Sequence, residues 1–242
     1  MCRLLGITTE RATDFSRCLR DAPRSLAALS QLHPDGWGIG VWTMSLGWRV
    51  AKSARCAKAD GDFDRVVRHA RGQTLVAHIR KRTVGDTAVE NCHPFAQGKW
   101  IFAHNGTVHA TDKLREQISP TRLDNVRGQT DSELIFAYLL THLDTLSPTA
   151  TRASVDRTIA TAVANLDGHG STTFLLSDGV VIYAHRNGRS LYSLVRNGEP
   201  GAVLFASERV TDEAWEEVPE GSLLRVTRKP TLAIQRVNGP DK

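Results

Sequence analysis

Long apolar runs, an export signal and a dense charge cluster are all missing from this chain of 242 residues. The longest apolar run, around Leu134 to Leu140, is far shorter than the roughly 18 residues that a membrane-spanning helix needs. The first residues lack the charged and then apolar segment of a secretory signal. We therefore expect a cytoplasmic protein with no membrane partner.

Concentrated charge of one sign is absent although the formal net charge is +5. The basic residues are scattered along the chain, and aromatic residues make up only 6% of it. A nucleic-acid interface would need basic residues clustered on one face. The sequence therefore predicts no nucleic-acid partner, and its composition is that of an ordinary globular protein.

Paired cysteines and metal-binding motifs are also lacking. No C-x-x-C pair occurs among the cysteines, which are Cys2, Cys18, Cys56 and Cys92. A soluble chain of this length does not need disulfides, so we expect four reduced thiols. The nine histidines form no H-E-x-x-H motif, and His104 and His109 have no Cys or carboxylate at a familiar ligand spacing. Neither a metal site nor a cofactor is predicted.

Strand patterns occupy both ends of the chain and helical patterns its middle. Strands are predicted at residues 2–8, 37–42, 48–54, 74–79, 100–103, 172–176, 180–184, 191–195, 203–206, 223–226 and 232–237, and helices at 17–29, 63–70, 130–143 and 148–166. Because regular β-α-β alternation is absent, an α+β fold is favoured over a doubly wound sheet. With no linker or repeat, residues 1–242 are predicted to form a single domain.

The first candidate for chemistry is Cys2. Removal of Met1, which the small second residue favours, would leave Cys2 at the N-terminus. An α-amine titrates near 8 and can act as a base. One residue would then hold both a sulfur nucleophile and its base. The alternative is an incidental cysteine at the start of an edge strand.

Three further features lie on separate elements. The strand that ends at Arg80 presents a guanidinium fork that suits a carboxylate, or it is a solvated basic turn. Asn105 and Gly106 offer an amide and a backbone N–H that suit an oxyanion, or they form a turn that ends a strand. Asp131 follows Thr130 in a capping-box pattern, where it would receive a substrate ammonium or only favour the helix dipole.

The combined set of motifs resembles a known family. The motifs are Cys2, Asp35-Gly36-Trp37-Gly38, His78-x-Arg80-x-x-Thr83-x-Gly85, Asn91-x-His93-Pro94-Phe95, His104-Asn105-Gly106 and Thr130-Asp131-Ser132-Glu133. In residue type and order they resemble the class II glutamine amidotransferases, a branch of the N-terminal-nucleophile hydrolases. The resemblance includes the stand-alone bacterial members, among them the γ-glutamyl hydrolases of ergothioneine-type pathways. It continues more loosely to Ala206-Ser207-Glu208.

The resemblance implies a four-layer αββα sandwich with Cys2 at the end of a central strand. It implies that Cys2 attacks the γ-carbonyl of glutamine or of a γ-glutamyl amide, with its own amine relaying the proton. Asn105 and Gly106 would stabilise the tetrahedral oxyanion. Ammonia or an amine would then leave, and water would cleave the γ-glutamyl thioester.

The substrate-binding residues are likewise implied by the resemblance. Arg80 would hold the substrate α-carboxylate, with help from Lys81 and Thr83 in the same loop. Asp131 would take the α-amino group.

Two features depart from the family pattern. Arg82 stands where members often have a small residue, which predicts a different loop shape or a different route for the substrate. Leu32 and His33 stand where many members carry an Arg-Gly pair, three residues before the aspartate matching Asp35. His33 is then either a substitute support for the free amine or an ordinary histidine of the core or surface.

Three functions remain open at this point. A glutaminase subunit would feed ammonia to a separate synthase, since we expect no acceptor domain in this chain. A self-sufficient hydrolase would release a larger amine from a γ-glutamyl conjugate. A non-catalytic module would keep the fold alone, although the presence of Cys2, Asn105 and Gly106 argues against it.

Overall fold

The computed structural model describes residues 2–109, 111–166, 168–228 and 231–238. The strands are β1 Arg3–Asp14, β2 Trp37–Thr43, β3 Gly47–Ser53, β4 Arg71–Ile79, β5 Phe95–Gln97, β6 Trp100–Val108, β7 Gly170–Ser177, β8 Val181–His185, β9 Tyr192–Arg196, β10 Ala202–Ala206, β11 Glu216–Glu217, β12 Leu223–Thr227 and β13 Ala233–Arg236. The α-helices are α1 Leu26–Leu29, α2 Gly61–Arg68, α3 Thr111–Glu116, α4 Pro120–Leu123, α5 Asp131–Leu143 and α6 Arg152–Leu166. In these ranges no helix is long and apolar enough to cross a membrane.

Two antiparallel sheets form the centre of the structure. The first has the strand order β11-β9-β10-β1-β4-β2-β3, and the second has the order β13-β12-β8-β7-β6-β5. Strand β1 occupies the middle of the first sheet, where it pairs with β10 on one side and β4 on the other. The residue that precedes β1 therefore lies at the end of a central strand, as the resemblance implies.

Three apolar clusters define four layers. The sheets pack against each other through a buried cluster that includes Leu4, Val76, Ile101, Ala103 and Leu175. On the outer face of the second sheet, helices α5 and α6 cover a cluster in which the rings of Phe102 and Phe136 stack 5.5 Å apart. On the outer face of the first sheet, the edge of Phe63 in α2 meets Trp37 at 5.2 Å. The predicted α+β fold with an αββα sandwich is confirmed.

Two predicted elements differ in length from the observed ones. The helix expected at 17–29 is instead a π-helical turn at Arg17–Asp21 followed by the short α1. Proline has no N–H to donate, so Pro23 interrupts the helical ladder between them. Strand β6 runs to Val108, past the predicted end at residue 103, because Asn105 and Gly106 pair with Thr173 and Thr172 of β7. Asn105 and Gly106 thus lie inside a strand, and the alternative of a strand-ending turn is wrong.

At the start of α5, one of the two hydrogen bonds of the predicted capping box is formed. The Thr130 hydroxyl accepts a hydrogen bond from the Glu133 N–H (3.3 Å), as the pattern requires. The Glu133 carboxylate instead accepts from the backbone N–H groups of Arg127 (3.0 Å) and Gly128 (2.6 Å). Glu133 therefore ties down the loop that leads into α5, which places Asp131 at a fixed point.

Candidate active site

Cys2 lies at the end of β1, and the main chain of Lys81 holds its sulfur. Cys2 Sγ accepts from the Lys81 N–H at 3.3 Å and lies 3.4 Å from the Lys81 carbonyl oxygen. The Arg3 guanidinium donates to the Cys2 carbonyl (3.2 Å) and forms an ion pair with Glu208 at 2.6 Å. The nucleophile candidate is partly exposed, while its backbone and sulfur are both positioned.

The Cys2 thiol keeps its proton more firmly than a free cysteine does. Burial raises the pKa of this thiol, and the Lys81 N–H together with the charges of Arg80 and Arg3 opposes that rise only in part. Since the thiolate is the reactive form, attack by Cys2 calls for a base close to the sulfur. The α-amine of a processed Cys2 would meet that need, although Met1, whose removal the sequence predicts, lies outside the described residues.

The loop after β4 is organised around Arg80, which is buried at 3% exposure. Its Nη1 donates to the Asp86 carbonyl and its Nη2 to the Val84 carbonyl, both at 2.8 Å. The Arg80 N–H donates to the Gly36 carbonyl (2.8 Å), and the Arg82 N–H donates to the Asp35 carboxylate (2.8 Å). Arg80 thus braces the loop from within, an arrangement that the sequence motif does not reveal.

The exposed part of this loop contains the other predicted binding residues. Lys81, Arg82 and Thr83 are all exposed. Within the described parts of the chain, neither Lys81 nor Arg82 forms an ion pair. The loop whose main chain holds the Cys2 sulfur therefore carries two exposed cations.

Asn105 and Gly106 lie near the C-terminal end of β6. Asn105 is 6% exposed and shares the strand face of Ala103, which belongs to the cluster between the sheets. A Cβ on Gly106 would collide with the Ser171 carbonyl oxygen, so only glycine fits there. The neighbouring His104 ring is hydrogen-bonded to Ser132 Oγ and to the Ser171 carbonyl, both at 2.9 Å. These bonds hold the end of β6 against α5 and β7.

Asp131 is the first residue of α5 and is 6% exposed. Its Oδ2 accepts a hydrogen bond from the Val108 N–H at 2.7 Å, at the end of β6. Two residues earlier, the Gln129 side chain accepts from the Asp86 N–H (2.9 Å), and the Asn91 side chain accepts from the Gln129 N–H (2.7 Å). The start of α5 is therefore bound to both β6 and the Arg80 loop.

The two sheets bring these groups to the same end of the sandwich. His78 of β4 pairs in register with Leu4 of β1. Complete burial and the nearby His104 of the facing sheet lower the pKa of His78 to about 3. Cys2 precedes Leu4 by two residues, and Arg80 follows His78 by two. Because β1 and β4 are antiparallel, Cys2 and Arg80 lie at the same end of the first sheet. Asn105 directly follows His104 in β6. The end of the first sheet that carries Cys2 thus faces the part of β6 that carries Asn105.

Several residues that organise the site were not assigned a role from sequence. Asn91 and Glu208 fall inside the family-like motifs, but the motifs do not state what these side chains contact. Arg3 and Gln129 carry no sequence signal, because their partners are far away along the chain. In the described ranges, no group of three His, Cys, Asp or Glu side chains is arranged to hold a metal ion.

Comparisons with known proteins agree with this arrangement. The family model for class II glutamine amidotransferases matches residues 1–201. A γ-glutamyl-hercynylcysteine sulfoxide hydrolase of Mycobacterium tuberculosis is 29% identical over 253 residues, which cover 99% of this chain and all of that protein. A relative from Haemophilus influenzae is 30% identical over 192 residues, and the match spans only 63% of that protein's length.

Solved structures share the fold. A class II glutamine aminotransferase domain protein of Silicibacter pomeroyi superposes with a TM-score of 0.68 at 22% identity, covering 97% of this chain and 99% of that one. The glutamine phosphoribosylpyrophosphate amidotransferase of Bacillus subtilis gives 0.69 at 17% identity, covering 98% of this chain and 49% of that one. Since the family model spans well over half of the sequence, the chain belongs to the class II glutamine amidotransferases, enzymes that act on amide bonds.

Proposed function

We propose that this chain hydrolyses the γ-amide of glutamine or of a γ-glutamyl amide, with Cys2 as the nucleophile after removal of Met1. The observation that carries the proposal is the partly exposed Cys2 sulfur, held by the Lys81 main chain at the end of the sandwich where Asn105 faces it. A nucleophile and an amide donor on facing sheets are what acyl transfer requires.

The reaction proceeds in two halves. The Cys2 α-amine takes the thiol proton, and Sγ attacks the γ-carbonyl carbon. The Asn105 amide and the Gly106 N–H stabilise the resulting oxyanion. The C–N bond then breaks as the amine delivers the proton to the departing nitrogen, which leaves a γ-glutamyl thioester on Cys2. Water, deprotonated by the same amine, attacks the thioester and releases glutamate and the free thiol.

The γ-glutamyl end is held at its two charged groups. Asp131 uses Oδ2 for the Val108 N–H, and we assign its second oxygen to the substrate ammonium. Arg80 engages loop carbonyls through Nη1 and Nη2, and a guanidinium has five N–H donors, so others remain for the α-carboxylate. Lys81 and Thr83, which are exposed on the same loop, complete that contact.

Of the two versions of the reaction, we favour a self-contained hydrolase of a γ-glutamyl conjugate. It is supported by the end-to-end match to the Mycobacterium tuberculosis hydrolase. A subunit that supplies ammonia to a separate synthase is the second candidate, supported by the match to only about half of the Bacillus subtilis amidotransferase. Four free cysteines fit a reducing compartment, and we place the reaction in the cytoplasm.

The test is intact-mass measurement before and after exposure to an electrophilic glutamine analogue. We expect a mass that lacks Met1, followed by one stoichiometric adduct on Cys2. Cys56, which is also partly exposed but contacts Ser30 and not the Lys81 main chain, provides the matched control. The Cys56→Ala variant should label fully and Cys2→Ala not at all. Equal labelling of both variants would show that Cys2 is not the nucleophile.

A further inference from the structure

The ring of His33 is buried, and among the described residues nothing forms a hydrogen bond with it. His33 is 4% exposed, and in the described part of the chain neither of its ring nitrogens has a partner. Buried polar side chains are almost always hydrogen-bonded, so one that is not calls for an explanation. A partner outside the described residues, such as a group that forms only in the processed enzyme, would supply it.

His33 lies on the segment that is hydrogen-bonded to the Arg80 loop. It follows a short 3-10 turn, Ser30–Leu32, and its N–H donates to the Ser30 carbonyl at 3.0 Å. Two residues later, Asp35 binds the main chain of both Arg80 (3.2 Å) and Arg82 (2.8 Å). The segment from His33 to Asp35 thus runs along the loop that holds the Cys2 sulfur.

The charges around His33 come from residues on both sides of Cys2. Burial, together with the positive charges of Arg3 and Lys81, lowers the pKa of His33 to about 4, and Asp35 opposes this shift. Arg3 directly follows Cys2, and Lys81 holds its sulfur. The ring is therefore neutral at physiological pH and offers one nitrogen lone pair as an acceptor.

Two of the three polar groups of Cys2 already have partners. Its sulfur contacts Lys81, and its carbonyl accepts from Arg3. The third group is the α-amine, which in the processed enzyme carries N–H donors and must keep its lone pair toward the sulfur to act as a base. A neutral acceptor beside it would orient it without adding a repelling positive charge.

We propose that His33 is a positioning residue that accepts a hydrogen bond from the α-amine of processed Cys2. The inference rests on the proposed function, because it requires Met1 to be removed and the amine to act as the base. His33 would then perform here the task that the Arg-Gly pair is placed to perform in many relatives.

The test compares His33→Ala and His33→Gln with wild type in glutamine hydrolysis. We expect His33→Ala to lower kcat about 10-fold or more while KM changes less than about 2-fold, because only the orientation of the base is lost. The amide oxygen of glutamine can accept the same bond, so His33→Gln should recover most of kcat. His142→Gln is the matched control, since the Nε2 of His142 is also buried without a partner and lies near the far end of α5.

The pH profile separates positioning from a structural role. An acceptor stabilises the charged ammonium more than the neutral amine, so loss of His33 lowers the pKa of the amine. The acid limb of kcat/KM should then move to lower pH in His33→Ala, while the charges of Arg3, Arg80, Lys81 and Asp35 stay the same in both proteins. A merely structural role would leave that limb in place.

Each result has a distinct meaning. An unchanged kcat and acid limb in a folded His33→Ala protein would overturn the assignment, and so would a His33→Gln protein as inactive as a folded His33→Ala. If His33→Ala does not fold, as judged by its thermal melt, the kcat and acid limb of His33→Gln decide alone. A wild-type protein that keeps Met1 would refute the proposed function itself, and that failure appears before any variant is made.

Discussion

The two sheets contribute to the site in different ways. The first sheet supplies Cys2 and the Arg80 loop from just beyond its strand ends, where Lys81, Arg82 and Thr83 are exposed. The second sheet supplies Asn105 and Gly106 from inside β6, and Asp131 from the start of a helix packed on that sheet, all held by neighbouring elements. We infer that the first side attacks the substrate and binds its α-carboxylate, while the second side binds its α-amino group and is a rigid template for the developing charge.

The largest effect should come from the attacking side. Cys2→Ala removes the sulfur that forms the thioester, and we expect kcat to fall by about 10⁴-fold or more. The thermal melting temperature should stay close to that of wild type, because the side chain is small and partly exposed. Steady-state hydrolysis and a thermal melt check both parts. Full activity of Cys2→Ala in a clean preparation would show that the first sheet does not supply the nucleophile.

The next effect tests the template side. Asn105→Ala removes an amide that we assign to the oxyanion, and kcat should fall by about 10²–10³-fold while KM stays nearly constant. The backbone pairing of β6 with β7 does not depend on this side chain, so the fold should persist. A rise in KM with kcat unchanged would assign Asn105 to ground-state binding instead.

Asp131→Asn should act on KM. The asparagine oxygen can still accept from the Val108 N–H, which keeps β6 joined to α5. The negative charge that attracts the substrate ammonium is lost, and we expect KM to rise by about 10- to 100-fold, in line with the loss of a charge-assisted hydrogen bond. Removal of the α-amino group from the substrate should raise KM more in wild type than in Asp131→Asn. An equal rise in both proteins would mean that Asp131 does not contact that group.

Acid should destabilise the centre of the sandwich. His78 has a pKa of about 3 when folded, against an ordinary value near 6.5, so the unfolded chain binds the extra proton between these values. The free energy of unfolding should therefore fall as pH drops below about 6.5, by about 1.4 kcal/mol per pH unit for this histidine. Urea unfolding between pH 7 and pH 4 measures the slope, which His78→Asn should reduce. An identical slope in that variant would mean that other groups dominate.

The smallest effect belongs to the exposed loop. Lys81→Ala should raise KM by only about 2- to 5-fold, because an exposed cation contributes at most about 1 kcal/mol. The main-chain contacts of Lys81 with the Cys2 sulfur remain in the variant. The effect should shrink further in high salt. A large drop in kcat would show that the Lys81 side chain acts on the nucleophile rather than on the substrate.

Much of the fold could be predicted from local patterns, and the failures have physical causes. The N-terminal start of α5 was predictable because Thr130 caps it locally. The length of β6 was not, because Asn105 and Gly106 are typical turn residues that β7, almost seventy residues later, holds in a strand. The alternating apolar residues indicated strands but not which strands would be neighbours, and β5 and β11 were too short to carry any pattern.

Sequence alone determined the family, the fold class and the residue types at the site, because the chemistry of acyl transfer restricts which side chains can stand in the motifs. Only the tertiary structure decided how those residues are held. It engages the Arg80 fork with the carbonyls of its own loop, couples Arg3 to Glu208 across the sheet, and buries His33 on the segment that is hydrogen-bonded to that loop. Arg3 and Glu208 are far apart in the chain, and the pairing of β1 with β10 brings them together.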